Sequence, residues 1–175
     1  MIEPNKKNLL IGVISDTHIP SRAATIPQEI IDDFKERNID YVFHLGDFTT
    51  LDAYNQLLNI FGKEKIIGIS GNMDSREINK ILPESREFEL LGHKIFLTHG
   101  GGGPRGIIRR LNKAFDLSPY EIIIFGHIHQ PMNKKEQGKY YFNPGTPTDK
   151  RFTDINSYAF LKLSKDNIKF EIIRI

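Results

Sequence analysis

Seven side chains able to bind a divalent cation stand at the ends of short apolar runs in this sequence. Asp16 and His18 (SDTH) follow Leu9–Ser15, Asp47 (LGD) follows Tyr41–Leu45, and Asn72 (GN) follows Lys65–Ile69. His99 (THG) closes Lys94–Thr98, and His127 with His129 (GHIH) closes Glu121–Phe125. Carboxylate, imidazole and amide donors in one set suit Mn, Fe, Zn, Ni or Co, which accept nitrogen and oxygen together. Singly, each motif reads equally well as a turn, because Asp and Asn cap loops and tolerate tight bends. Their joint occurrence, each after an apolar run, favours one metal site assembled from distant segments. Alternation along an extended segment would project His127 and His129 from the same side. Gly46, Gly71, Gly100 and Gly126 adjoin these residues, where a chain must turn sharply or approach a ligand closely.

The elements that must position these groups follow from hydrophobic periodicity. Leu9–Ser15, Tyr41–Leu45, Lys65–Ile69 and Glu121–Phe125 read as buried strands. Pro27–Arg37 and Leu51–Phe61 carry apolar residues at helical spacing, and Pro27 suits a first helical turn. Gly106–Phe115 reads as a basic amphipathic helix, with Arg105, Arg109, Arg110 and Lys113 as its solvated face or, alternatively, a nucleotide-facing patch. Arg86–Leu91 and Lys94–Thr98 flank Gly92-His93, a hairpin signal that puts His93 in a solvated turn. Tyr140–Phe142, Tyr158–Leu163 and Ile168–Ile175 complete the chain as antiparallel strands, with a turn at Asp166-Asn167. Strand and helix alternate first and hairpins follow, which predicts an α/β protein with mixed sheets. In open α/β sheets ligand sites lie beyond the carboxyl ends of the strands, so the seven residues can converge. His44, three residues before Asp47 within its strand, is expected to pack behind the site or contact the substrate.

Composition bounds the rest. A chain of 175 residues fits a single domain spanning 1–175, typical domains running about 100–200 residues. The absence of cysteine excludes disulfides, thiolate catalysis, cysteine-type zinc sites and iron–sulfur clusters. With 24 basic and 22 acidic residues, the balance argues against a large nucleic-acid-binding surface. No apolar stretch approaches the roughly 20 residues of a membrane span. Met1–Asn8 is polar and short, without a signal core, so the expected location is cytoplasmic. A homo-oligomer is compatible with all of this.

The ordered set D-x-H, G-D, G-N-x-[DE], H and G-H-x-H resembles the calcineurin-like metallophosphoesterase superfamily. Within it the chain looks like the small YfcE-type phosphodiesterases, to which the retromer subunit Vps29 is related. The resemblance runs from Ile11 to about Arg151 and includes the Asn143-Pro144-Gly145 turn. It implies a four-layer α-β-β-α sandwich, two mixed β-sheets flanked by helices. It also implies two divalent transition-metal ions, Mn2+ first, with Ni2+, Co2+, Fe2+ or Zn2+ as alternatives. One ion would sit on Asp16, His18, Asp47 and His129, the other on Asp47, Asn72, His99 and His127. The implied reaction is hydrolysis of a small, nucleotide-like phosphodiester by in-line attack of a hydroxide bridging the ions. Asp47, Asn72 and His44 would then be the catalytic set. Two alternatives share the fold: a metal-binding interaction scaffold with weak or no hydrolysis, and a phosphomonoesterase. Completeness of the ligand set separates the enzyme from the scaffold.

Two departures bear on the chemistry. Met73 (GNMD) stands where many members have a histidine that protonates the leaving group, so esters of low-pKa alcohols should be favoured. His44 is a candidate replacement donor. The segment after His99 is GGGP, whose backbone N–H groups, with Arg105, could cradle a phosphate. The same segment reads equally well as a flexible lead into the following helix.

Overall fold

Near-continuous runs of branched and aromatic side chains, as in β-strand segments LLIGVI and IIIF, bury the central strands on both faces, and the fold follows from that demand. The computed structural model describes residues 6–175, so Met1–Asn5 of the expected domain and N-terminal segment lie outside the described residues. The first half runs β1 (Asn8–Ile14), α1 (Gln28–Glu36), β2 (Tyr41–Leu45), α2 (Leu51–Phe61), β3 (Ile66–Ile69) and α3 (Arg76–Ile81). The second runs β4 (Ser85–Leu90), β5 (His93–Thr98), α4 (Ile107–Ala114), β6 (Ile122–Phe125), β7 (Met132–Glu136), β8 (Lys139–Asn143), β9 (Ser157–Ser164) and β10 (Asn167–Arg174).

These strands form two five-stranded mixed sheets, ordered β10-β9-β1-β2-β3 and β4-β5-β6-β8-β7. In the first, β1, β2 and β3 are parallel, and the β9–β10 hairpin adds antiparallel to β1. In the second, β5, β6 and β8 are parallel, with β4 and β7 as antiparallel edges. Adjacent residues face different cores, as strand alternation requires. Ile11, Val13, Ile122, Ile124 and Phe142 meet in a core between the sheets. Ile14 and Val42 face outward onto Ile30, Ile31 and Phe34 of α1 and Leu57 of α2. Ile123 and Phe125 face the other way, onto Ile107 and Leu111 of α4. The four-layer α-β-β-α sandwich is thus borne out. Each such fully buried side chain stabilises the fold by roughly 1.5–3 kcal/mol. At Gly12 a Cβ would stand 2.6 Å from the Phe34 ring, so α1 packs on β1 only because that position is bare.

Two elements escape the periodicity reading. Helix α3 is six residues long, too short to show a repeat, and starts where Ser75 Oγ accepts from Ile78 N at 3.4 Å. Strand β7 (MNKKE) is polar because it is an edge, where charge deters pairing with other chains. The last hairpin turns at residues 165–166, one residue earlier than expected.

His93 is a correction. The β4–β5 turn is Leu91-Gly92, and His93 begins β5, buried rather than solvated. Its Nδ1 lies 2.7 Å from Glu121 Oε2 and its Nε2 lies 2.8 Å from the Ser164 carbonyl oxygen.

Candidate metal centre

All seven sequence-selected residues follow the carboxyl ends of parallel strands, β1, β2 and β3 from one sheet, β5 and β6 from the other. The turns carrying them are tight. Asp16, His18, Asp47, His127 and His129 adopt positive φ of 55°, 46°, 57°, 70° and 55°. Non-glycine residues there cost about 1–3 kcal/mol each and persist only where surrounding structure imposes them. His127 and His129 are therefore not on an extended segment, as alternation had suggested; a left-handed turn aims them. The neighbouring glycines matter here for space. A Cβ at Gly71 would overlap the Asp47 carboxylate and stand 2.5 Å from its backbone N. One at Gly126 would overlap Ser15 Oγ and stand 2.9 Å from Asp16 Oδ2.

Side chains from neighbouring loops lock these turns. Asp74 accepts from the backbone N–H groups of Asp47 (3.0 Å), Thr49 (2.7 Å) and Gly71 (2.7 Å). At the end of β8, Asn143 donates to the Gly126 carbonyl (2.7 Å), and Thr146 just beyond it donates to that of Asp16 (2.8 Å). The Asn-Pro-Gly turn therefore ties the β1 and β6 ends together.

Two ligand groups result. Asp16, His18 and His129 form one, with His129 Nε2 3.1 Å and His18 Nε2 4.0 Å from Asp16 Oδ1. Asp16, Asp47 and His99 form the second, with His99 Nε2 3.3 Å from Asp47 Oδ2. Asn72 Oδ1 joins it, 3.1 Å from His99 Nε2 and 2.8 Å from His127 Nδ1. Asp47 Oδ2 is also 3.8 Å from His18 Nε2, so one oxygen faces both groups. Its other oxygen accepts from Met73 N at 2.7 Å.

The residues fit divalent cations. Asp16 Oδ1 is buried and accepts no well-aligned hydrogen bond, although His129 lies near it. Imidazole nitrogens face each other at 3.3 Å in two pairs, His18 with His129 and His127 with His99. A pair of facing lone pairs is stable only with a shared proton or a cation between them. Burial opposes charge on His99, yet Asp16 and Asp47 raise its pKa to about 9. Burial likewise opposes ionisation of Asp16, but His99, His129 and Ser15 bring its pKa down to about 2. Buried carboxylate oxygens and imidazole nitrogens thus converge on one another, the donor set a divalent cation would take up. His99 Nδ1 donates to the Leu45 carbonyl at 2.6 Å, which leaves Nε2 as the metal-facing atom.

Residues 9–166 match the calcineurin-like phosphoesterase superfamily domain. The chain belongs to that superfamily. A probable metallophosphoesterase of Methanothermobacter thermautotrophicus is 37% identical, covering 95% of this chain and 92% of its own length. A phosphodiesterase of Methanocaldococcus jannaschii is 28% identical over 77% of this chain and 82% of its own. Among solved structures, zinc-complexed Vps29 from Entamoeba histolytica superposes with a TM-score of 0.75 at 26% identity, covering 95% and 99% of the two chains. The phosphoesterase superfamily assignment makes the chain a metallophosphoesterase-type protein and gives its Asp/His groups their natural occupants, divalent metal ions.

Of two further sequence-selected residues, His44 takes the packed place that was one of its two expected readings, and Arg105 lies away from the phosphate-cradling place expected of it. His44 is fully buried, stacked on Phe48 with ring centroids 3.4 Å apart, and its Nε2 meets Thr17 Oγ1 at 3.0 Å. Burial lowers its pKa to about 3, and the ring is closed off from solvent. Arg105 is exposed and outside the cavity beside His99; Arg110 lines that cavity instead. Arg110 is half-buried and donates to the carbonyls of Gly101 (2.8 Å), Arg105 (2.8 Å) and Gly103, fixing the Gly-rich loop.

Asp149 escaped sequence reasoning altogether. It is fully buried, with Oδ2 3.6 Å from His129 Nδ1, 3.3 Å from Arg22 Nε and 2.7 Å from Arg151 Nη2. Burial opposes its charge, but the Arg151 hydrogen bonds hold it well below the usual carboxylate range. A carboxylate behind a metal-facing histidine can orient its ring, and Asp149 brings a buried negative charge to the otherwise unpartnered Nδ1 of His129. In TPTDKR it looks like any loop aspartate, and no spacing marks it.

Proposed function

We propose that the protein is a dinuclear-metal phosphodiesterase acting on small phosphoesters. The observation carrying this reading is Asp47 Oδ2, one carboxylate oxygen facing both ligand groups. Asp16, His18, Asp47 and His129 would hold one ion, and Asp47, Asn72, His99 and His127 the other. Mixed oxygen and nitrogen donors suit Mn2+ first, with Ni2+, Co2+, Fe2+ or Zn2+ as alternatives. Such ions supply charge that polarises a phosphoryl group and acidifies water.

The protein's own groups orient and shield. The Leu45 carbonyl holds the His99 ring, and the Asp149 carboxylate stands 3.6 Å behind His129 Nδ1, which has no hydrogen-bond partner of its own. Asn72 turns its Oδ1 to the two histidines, which leaves its NH2 to donate to a phosphoryl oxygen. Met73 is 55% exposed at the position where the resemblance puts a proton-donating histidine in many superfamily members, and it has no proton to give. With His44 buried beneath, the leaving group must depart on its own acidity, which favours aryl and other low-pKa alcohols.

The test is turnover of an aryl phosphodiester and its monoester by metal-stripped protein, before and after adding Mn2+, Ni2+, Co2+, Zn2+ or Mg2+. Metal-restored turnover preferring the diester is expected. Two bound equivalents without turnover of either ester would overturn the enzyme reading in favour of an interaction scaffold.

A further inference from the structure

Phe152 is 60% exposed, yet its ring stands edge-on to that of His129, with centroids 5.3 Å apart and planes at 76°. It lies in the loop between β8 and β9, and its surroundings fasten it there. Gln130, directly after His129, donates its Nε2 to the Phe152 carbonyl at 3.3 Å. The Arg151 guanidinium carbon lies 5.2 Å from the ring centroid, and Arg151 Nη2 donates to buried Asp149 at 2.7 Å. Thr153 Oγ1 closes the next turn by donating to the Ile155 carbonyl at 3.0 Å. A ring held in this way before a ligand arrives loses little freedom when one packs on it.

Phe152 and Ile155, the latter 42% exposed, line a cavity of about 490 Å3 with Gln130 and Pro131. That volume lies within the roughly 300–1,000 Å3 of pockets that hold organic ligands. Large apolar side chains exposed together and rimmed by polar groups mark ligand grooves. In an in-line displacement the leaving group departs opposite the attacking oxygen, so the arm that stays on phosphorus is the one that spreads sideways past the ligands. We infer that Phe152 is a specificity-determining residue that packs against this retained arm and selects an aromatic one. The inference rests on the phosphodiesterase reading for its reaction, but the contact can be judged without turnover.

Phenyl p-nitrophenyl phosphate and methyl p-nitrophenyl phosphate share a leaving group and differ in the retained arm. Their kcat/KM ratio on Mn2+-loaded protein includes their intrinsic reactivities, which cancel when variants are compared. Phe152→Ala should lower the phenyl-to-methyl ratio by about fivefold or more, the scale of a lost aromatic contact, and Phe152→Tyr should keep it. The exposed position makes both substitutions compatible with the fold. Independently of catalysis, phenyl phosphate added to the Mg2+-supplemented protein should shift the amide resonances of residues 151–153 beyond what inorganic phosphate does. That excess should vanish in Phe152→Ala. A ratio unchanged in Phe152→Ala, even with both esters slowed equally, would make the ring a mere cover over His129 and overturn the inference, as would absent shifts. Shifts without hydrolysis of either ester would support the contact while sinking the phosphodiesterase reading.

Discussion

Asp47 uses its two oxygens differently, one held by Met73 N and the other turned toward both ligand groups. Asp47→Asn keeps the shape and removes the charge that lets two cations share a ligand. It should abolish hydrolysis, bind fewer metal equivalents in calorimetric titration, and melt within a few degrees of wild type. Unchanged turnover would end the two-metal proposal. Asp149 acts one step further back, through His129. Asp149→Asn should weaken one of two metal-binding steps by roughly 10–100-fold, the usual cost of losing such a partner. The readout is the titration itself, which a purely structural role would leave unmoved at sites distant from His129. Arg22 and Arg151 would lose their shared counter-ion, so some loss of stability should accompany it.

At the level of elements, the site depends on turns rather than on strands. Five candidate ligands sit at positive φ, and the carboxylate of Asp74 binds the turns after β2 and β3 into one unit. Asp74→Ala would leave three backbone N–H groups without their acceptor, at about 1–3 kcal/mol for each that water cannot reach. A lowered denaturation midpoint together with weakened metal binding is the expected result; a variant weakened in neither would show that the turns hold themselves. Gly12 is a separate case, because it lies mid-strand and far from the ligands. Gly12→Ala would push a methyl against the buried Phe34 ring, costing roughly 1–3 kcal/mol of overpacking. Its melting temperature should fall while metal stoichiometry stays the same.

Across the whole molecule, His93 joins the sheets at the end opposite the metal centre. Both its partners, the Glu121 carboxylate and the Ser164 carbonyl, only accept, so both ring nitrogens donate in the charged form. Burial opposes that charge, but Glu121 and Ser164 raise the pKa above the ordinary histidine value. A raised folded-state pKa means the link stabilises fully below the unfolded value, about 6.5, and is lost as pH climbs through the folded value. His93→Ala should therefore lower the urea midpoint more at pH 6 than at pH 9, with turnover nearly unaltered at both. An equal loss at the two pH values would show that His93 contributes packing alone.

Much of this was determined by local sequence. Apolar runs ending in Asp, Asn or His marked the ligands, and the four-layer sandwich followed from their resemblance to a known family. Strand β2 and helix α2 appear with the expected bounds because their periodicity is strong and their ends are polar. Short or edge elements such as α3 and β7 were invisible, since six residues show no repeat and an edge strand has no buried face to spell out. What only the tertiary structure decided was partnership across distance. His93 looked solvated until β9 brought the Ser164 carbonyl to it, and His44 stood open between packing and substrate contact until Phe48 and Thr17 enclosed it. Asp149 acquired its role because β8 delivers its loop behind His129. A residue's burial and its partners are properties of chain segments meeting, and no single segment encodes them.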